Sequence, residues 1–223
     1  MKSAHCQIKA KYSVDAIDIF RINSKTFYFA SIFLGNSITK KAARLYQFCR
    51  LIDDIADKTQ DYSLAIKEIN LFKHDIQSGF SNHPVISDLL DLIQDKKLDH
   101  EAINSLISGI LSDLSTVRIQ NEDELLEYCY KVAGTVGILM CPILGAKDSS
   151  ACSFAADLGI AMQLTNICRD IKEDAINNRI YLPSILINTD NSRLLIEAPD
   201  KSGIDARIAC AKLLKLADKY YKR

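Results

Sequence analysis

Apolar residues recur three and four positions apart along almost the whole chain, and no stretch sustains the two-residue alternation of a half-buried strand. This pattern predicts an all-α protein. Start signals divide it into helices: Thr39 before one reaching about Asp57, Asp61 before one ending near Gly79, Pro84 in the first turn of a third, and Asp99 before a stretch to about Ser112. Asn121, with Glu124 three residues on, makes a capping box for a helix running to about Leu144. Ser149 or Ser150 opens the next, which carries through Glu173 until Asn177-Asn178 and Pro183 break the pattern. The last begins near Ile204 and is still amphipathic at Tyr220 and Tyr221. No repeat, low-complexity linker or shift of composition marks an internal boundary, so residues 1–223 read as one helical domain.

Composition strengthens the helical reading. Eight glycines and four prolines in 223 residues fall well below the average share of about 12%, too few to punctuate a sandwich or barrel. Twenty-eight basic residues balance 28 acidic ones, which excludes the bulk field that draws nucleic acid. Neutrality conceals segregation, however: residues 1–50 carry 9 basic and 2 acidic groups (+7), 51–130 carry 6 and 16 (−10), and 131–223 carry 13 and 10 (+3). The excess acid of residues 61–127 reads as solvated surface. Seven cysteines, none spaced C-x-x-C, read as reduced thiols of a cytoplasmic protein. The four histidines form no H-x-x-x-H pair. The N-terminus lacks an apolar signal region, and Ala133 to Ala146 is too short and Gly-rich for a membrane span.

Chemistry concentrates in two acidic stretches. In Cys49-Arg50-Leu51-Ile52-Asp53-Asp54-Ile55-Ala56-Asp57, Asp53 and Asp57 lie one turn apart on a shared face, with Asp54 alongside. Like charges at that spacing cost about 0.2–0.5 kcal/mol per pair. A divalent ion removes the conflict, and magnesium suits it because it takes one or two carboxylates and completes its shell with water and phosphate. A solvated acidic helix face is the alternative. The second stretch, Gln163 to Asp174, places Asn166, Asp170 and Asp174 at i, i+4 and i+8, a gently drifting line on one helix face. It continues out of Phe154 to Leu164, whose small and apolar residues suit a helix buried nearly all round. Two such faces meeting across a bundle would hold two or three magnesium ions, whose natural ligand is a diphosphate.

Diphosphate also needs cationic donors. Lys25 in Ser24-Lys25-Thr26, Arg50, Arg169 and Arg179 are candidates, three of them within six residues of an acidic motif. Phe27, Phe29, Tyr46, Tyr128 and Tyr130 are candidate walls of an apolar cavity, able to turn π-faces toward a carbocation, with core packing as the alternative for each. Gly134 and Gly137 inside a predicted helix cost about 1 kcal/mol each against Ala. They signal either close backbone approach or room for a substrate chain.

Four stretches together resemble the squalene and phytoene synthase family of head-to-head prenyl transferases. They are Ser24-Lys25-Thr26-Phe27-Tyr28; Leu45-Tyr46-Gln47-Phe48-Cys49-Arg50 running into Asp53; Tyr128 through Gly137; and Gly159 through Asp174, continuing to Asn178-Arg179-Ile180-Tyr181-Leu182-Pro183. The resemblance implies a helical bundle around a central apolar cavity whose mouth is flanked by the two acidic helices. It implies that Asp53, Asp57, Asn166, Asp170 and Asp174 hold magnesium, and that Tyr46 and Tyr130 join the carboxylates in catalysis. Ser24, Lys25, Thr26, Phe27, Arg50, Tyr128, Gly134, Val136, Gln163, Asn166, Arg169 and Arg179 would contact the prenyl diphosphates. The implied reaction ionises one diphosphate, alkylates a second prenyl chain to a cyclopropylcarbinyl diphosphate, then rearranges that ring to a 1-1' linked hydrocarbon, with water excluded.

Within the family the motifs look most like bacterial enzymes. Phytoene synthesis from two geranylgeranyl diphosphates is the expected reaction, without NADPH, and squalene, presqualene or dehydrosqualene synthesis from farnesyl diphosphate is the alternative. Peripheral membrane contact would unload the hydrocarbon. Asn23 stands where some relatives carry His, and the family's pattern implies two or three further helices beyond residue 223. A non-catalytic assembly protein of the same fold is the reading from another class, set against the retention here of all four aspartates and Asn166.

Overall fold

The computed structural model describes Tyr12 and residues 15–59, 61–187, 189, 191–197 and 202–223. Among these residues there is no strand, and the one isolated bridge pairs Arg118 with Ile180 in parallel. The chain divides into two compact units, Met1–Leu114 with Leu139–Asp148, and Ser115–Ile138 with Ser149–Arg223.

The first unit contains α1 (Ala16–Asn23), α2 (Lys25–Ser31), a 3-10 turn (Ile32–Leu34), α3 (Asn36–Lys58), α4 (Tyr62–Ser78), α5 (Pro84–Lys96) and α6 (His100–Ser112). Helix α3 is its hub, packing against α1, α4, α5 and α6. Leu45, Phe48, Leu51, Ile52 and Ile55 supply its buried stripe at helical spacing, met by Ile69 and Phe72 of α4, Ile86 and Leu89 of α5, and Ile103 and Leu106 of α6. Each such side chain contributes on the order of 1.5–3 kcal/mol by leaving water. Asp61 caps α4 through the Ser63 and Leu64 amides, and Gly79 closes it in the left-handed region at φ 74°. Asp99 caps α6.

Helix α3 starts at Asn36, three residues before the boundary expected from Thr39. The Thr39 hydroxyl does not cap; it donates to the Ser31 carbonyl at 2.7 Å, and Gly35 at φ 78° turns the chain into the helix instead.

The second unit contains α7 (Glu122–Cys129), a π-turn (Tyr130–Gly134), the start of α8 (Thr135–Leu144), α9 (Ser149–Ile176), α10 (Ser184–Ile187), α11 (Ser192–Glu197) and α12 (Ser202–Tyr221). Helix α9 is the hub, packing against α7, the π-turn, α11 and α12. Its Ile160, Ala161, Leu164 and Ile167 join Leu125 and Cys129 of α7 and Ala209, Leu213 and Ala217 of α12 in one core. Asn121 accepts from the Glu124 amide at 2.9 Å, as the capping box requires, but Glu124 reaches back to the Gln120 amide (2.7 Å) rather than to Asn121 itself.

The helix expected from Asn121 to Leu144 is interrupted by the π-turn, where the chain presses on α9. A Cβ on Gly137 would lie 2.1 Å from the Ala155 carbonyl oxygen, and one on Gly159 would lie 2.3 Å from that of Ala133. Both distances are impossible for real atoms. Close backbone approach, not room for a substrate, is what Gly137 provides; Gly134 is also tight, since a Cβ there would lie 3.0 Å from the Tyr130 ring. We expect Gly137→Ala and Gly159→Ala each to destabilise the chain by about 1–3 kcal/mol through overpacking. Thermal melts followed by circular dichroism measure this, and Gly145→Ala, whose Cβ would meet nothing within 4 Å but whose φ is 80°, reports backbone strain alone.

Candidate active site

Each hub helix carries one acidic motif. On α3 the three aspartates have separate fates. Asp54 is 0% exposed and takes Arg50 Nη2 at 2.6 Å and Lys58 Nζ at 2.8 Å on one oxygen, from one turn before and one turn after. Its other oxygen lies 2.9 Å from the Tyr12 hydroxyl, which is equally close to the Arg50 carbonyl. Burial, then the Asp54 charge, hold that phenol well above its ordinary pKa. Asp54 is therefore the structural member of the trio.

Asp53 is half-buried and Asp57 exposed. Burial pushes the Asp53 carboxyl up to about 7; Arg50 pulls it down in part, while Asp57, Asp113 and Asp54 push it further up. Asp113, at the C-terminal end of α6, is an acidic neighbour that no local pattern announced. Tyr46, half-buried one turn before Arg50, packs on Phe20 with ring centroids 4.9 Å apart, and burial raises its phenol. Ser24 joins α1 to α2 without using its side chain as a cap, and Lys25 and Thr26 follow it, exposed. Asn23 donates to the Ile19 carbonyl at 2.8 Å, within its own helix. Phe27 and Phe29 are 47% and 64% exposed.

On α9, Asn166, Asp170 and Asp174 are all half-buried, as the line emerging from a buried helix predicts. Arg169, exposed, grips Asp170 with a two-point fork, Nε to Oδ1 at 2.7 Å and Nη2 to Oδ2 at 2.6 Å. That pairing holds the guanidinium above its ordinary pKa. Gln163 Oε1 accepts from Asn166 Nδ2 at 3.5 Å. Asp174 and Arg179 border a crevice of roughly 10 Å³ walled by Ile167, Ile171 and Tyr181, about one water in size. The segment bearing Arg179 is pinned by Ile180 N to the Val117 carbonyl (3.1 Å) and by Arg118, whose guanidinium donates to Asn178 O (2.8 Å) and Oδ1 (2.7 Å). Arg118 escaped the sequence reading because its partner lies 60 residues away. Tyr128 is buried and stacked on Tyr181, with centroids 4.8 Å apart, whereas Tyr130 is 39% exposed and Val136 half-buried.

Among the described residues no three acidic, histidine or cysteine groups converge to hold a metal ion by themselves. The donor set nonetheless fits magnesium. All donors are oxygens, each motif offers one or two carboxylates on one face, and this ion fills the remainder of its shell from water and phosphate.

Residues 20–223 match the family model described as squalene/phytoene synthase. The chain belongs to the squalene/phytoene synthase family. Phytoene synthase 1 of Zea mays is 35% identical over 169 residues, covering 72% of this chain and 41% of that protein. The 15-cis-phytoene synthase of Enterobacter agglomerans is 30% identical over 219 residues, 90% of this chain and 72% of that protein. The chain thus spans about two fifths of the plant relative's length. Among solved structures, a dehydrosqualene synthase crystallised with a ligand superposes with a TM-score of 0.79 at 25% identity, over 97% of this chain and 76% of its own. These matches bear out the all-helical, isoprenoid synthase reading of the family's motifs.

The Asp53 carboxyl has a testable sign. Its folded pKa lies above its unfolded value, so it favours the folded chain in full below the ordinary carboxylate range and loses that contribution as pH rises through about 7. In metal-free buffer, melting temperature should fall between about pH 4 and about pH 7 more steeply for the natural chain than for Asp53→Asn. A parallel decline in both chains would remove Asp53 from the explanation.

Proposed function

We propose that this family member carries out head-to-head condensation of two prenyl diphosphates, with two geranylgeranyl diphosphates giving phytoene through a cyclopropylcarbinyl diphosphate. The observation that carries the reading is the pairing, on each hub helix, of carboxylate oxygen donors with an arginine held by a neighbouring carboxylate, in the family's motif order. Asp53 and Asp57 on α3 would hold magnesium, as would Asn166, Asp170 and Asp174 on α9, and the ion when bound acts as a Lewis acid toward a departing diphosphate.

The chain's own groups supply binding and shielding. Arg50 and Arg169 offer planar forks to diphosphate oxygens and Lys25 a point charge, while Ser24 and Thr26 add hydroxyl donors. Arg169 must release Asp170 to do so, an exchange of one anion for another. Tyr46, Tyr130 and Phe27 present aromatic faces that stabilise a nearby cation without reacting with it. Gly134 and Val136 supply wall rather than chemistry, and apolar surroundings keep water from the allylic cation. NADPH has no part in this reaction, and the setting is cytoplasmic, with the hydrocarbon unloaded at a membrane surface. A second reading, condensation of farnesyl diphosphate, is favoured by the superposition on the dehydrosqualene synthase.

Incubation of the purified chain with labelled C15 and C20 diphosphates and magnesium separates the two. Phytoene from the C20 substrate, with no effect of added NADPH, is expected. Turnover of the C15 substrate alone would replace the first reading by the second, and no diphosphate release from either would overturn both. Asp53→Asn and Asp170→Asn should each lower the rate by about 10²-fold or more, equivalent to about 2.7 kcal/mol of barrier.

A further inference from the structure

Six described cysteines form no disulfide, and two of them meet. Cys168 lies on α9 and Cys210 on α12, the two helices with the most extensive packing in the second unit. The Cys168 thiol donates to the Cys210 carbonyl oxygen at 3.8 Å, which sets the two cysteines side by side across the helix pair. Both side chains are half-buried, so a small solute reaches them, whereas the nearby Cys129 is fully enclosed and its thiol is pushed up to about 12 by burial. The Cys168 thiol is engaged with the Cys210 carbonyl, which leaves Cys210 as the attacking sulfur.

We propose that Cys168 and Cys210 form a redox-active dithiol that a low-molecular-weight disulfide closes into an intrachain bridge between α9 and α12. The exchange balances. The Cys210 thiolate attacks one sulfur of oxidised glutathione, forming a mixed disulfide and expelling one glutathione thiolate. Cys168 then attacks the Cys210 sulfur and expels the second. Two protein thiols give up two electrons and two protons, and one glutathione disulfide becomes two glutathione thiols. The new bond spans residues 42 apart in sequence, closing a long loop and fixing α12 to the turn of α9 that holds Asp170. Its formation is independent of any diphosphate chemistry.

Intact-mass spectrometry of the full, unsubstituted chain treated with oxidised glutathione tests this. A loss of about 2 Da, a cross-linked Cys168–Cys210 peptide, reversal by dithiothreitol and a melting temperature higher by roughly 5–10 °C are expected. The Cys168→Ser chain should instead accumulate a stable adduct of about 305 Da on Cys210. The proposal is overturned if the unsubstituted chain gains only glutathione adducts, if its cross-link maps to another pair, or if both thiols remain open to alkylation after oxidation. Because the deciding measurement uses the natural chain, a poorly folding variant does not blunt it.

Discussion

The first unit is organised by the place found for one buried charge. A carboxylate taken out of water costs several kcal/mol unless its oxygens are satisfied. Asp54 meets that demand with Arg50 one turn before, Lys58 one turn after and the Tyr12 hydroxyl. The arrangement fixes the rotational phase of α3. One residue is 100° of turn, so with Asp54 directed inward Asp53 comes to the margin of the core, while Asp57, about 60° from Asp54, is exposed in the helix's last turn. The carboxylate that takes no part in the proposed chemistry thereby aims the two that do, and it also anchors the head of Arg50.

The second unit is held in register differently. There the constraint is steric: the Ala133 carbonyl sits where a side chain of residue 159 would be, and the Ala155 carbonyl where one of residue 137 would be. Two backbones at that separation leave no play along the helix axis, and the π-turn from Tyr130 to Gly134 is the local adjustment that lets the chain stay helical while lying so close. The N-terminal half of α9 is committed to this contact. Its C-terminal half is freed of it, which is where Asn166, Asp170 and Asp174 gain their partial exposure.

Much of this was legible before any coordinates. Caps at Asp61, Asp99 and Asn121, the proline at the start of α5 and the i, i+4, i+8 line on α9 all depend on residues within a turn or two of one another. The role of Asp54 was also written locally, as a cation four residues to either side, though the acidic spacing of its neighbours drew the reading away from it. What could not be read depends on distant chain segments. Asp113 approaches Asp53, Arg118 clasps Asn178 and Cys168 meets Cys210 only because helices far apart in sequence pack together. Gly159 had the look of one more small residue in a buried helix; its necessity comes from a carbonyl 26 positions earlier.

The segregated charge of the chain is partly cancelled within the first unit. Arg44 pairs with Asp88 and Lys41 with Asp95, so that α3, from the basic block, meets α5, from the acidic one. Such exposed pairs are worth about 0.2–1 kcal/mol each and serve orientation more than stability. The informative contrast lies between the adjacent Asp53 and Asp54. Asp54, in the core, receives both Arg50 and Lys58 directly. Asp53 receives only the remainder of the Arg50 field, and burial with three acidic neighbours lifts its pKa to about 7. A structural carboxylate has its counter-charge built into the chain. Asp53 has been left short of one, and that shortfall is the physical difference between the two neighbours.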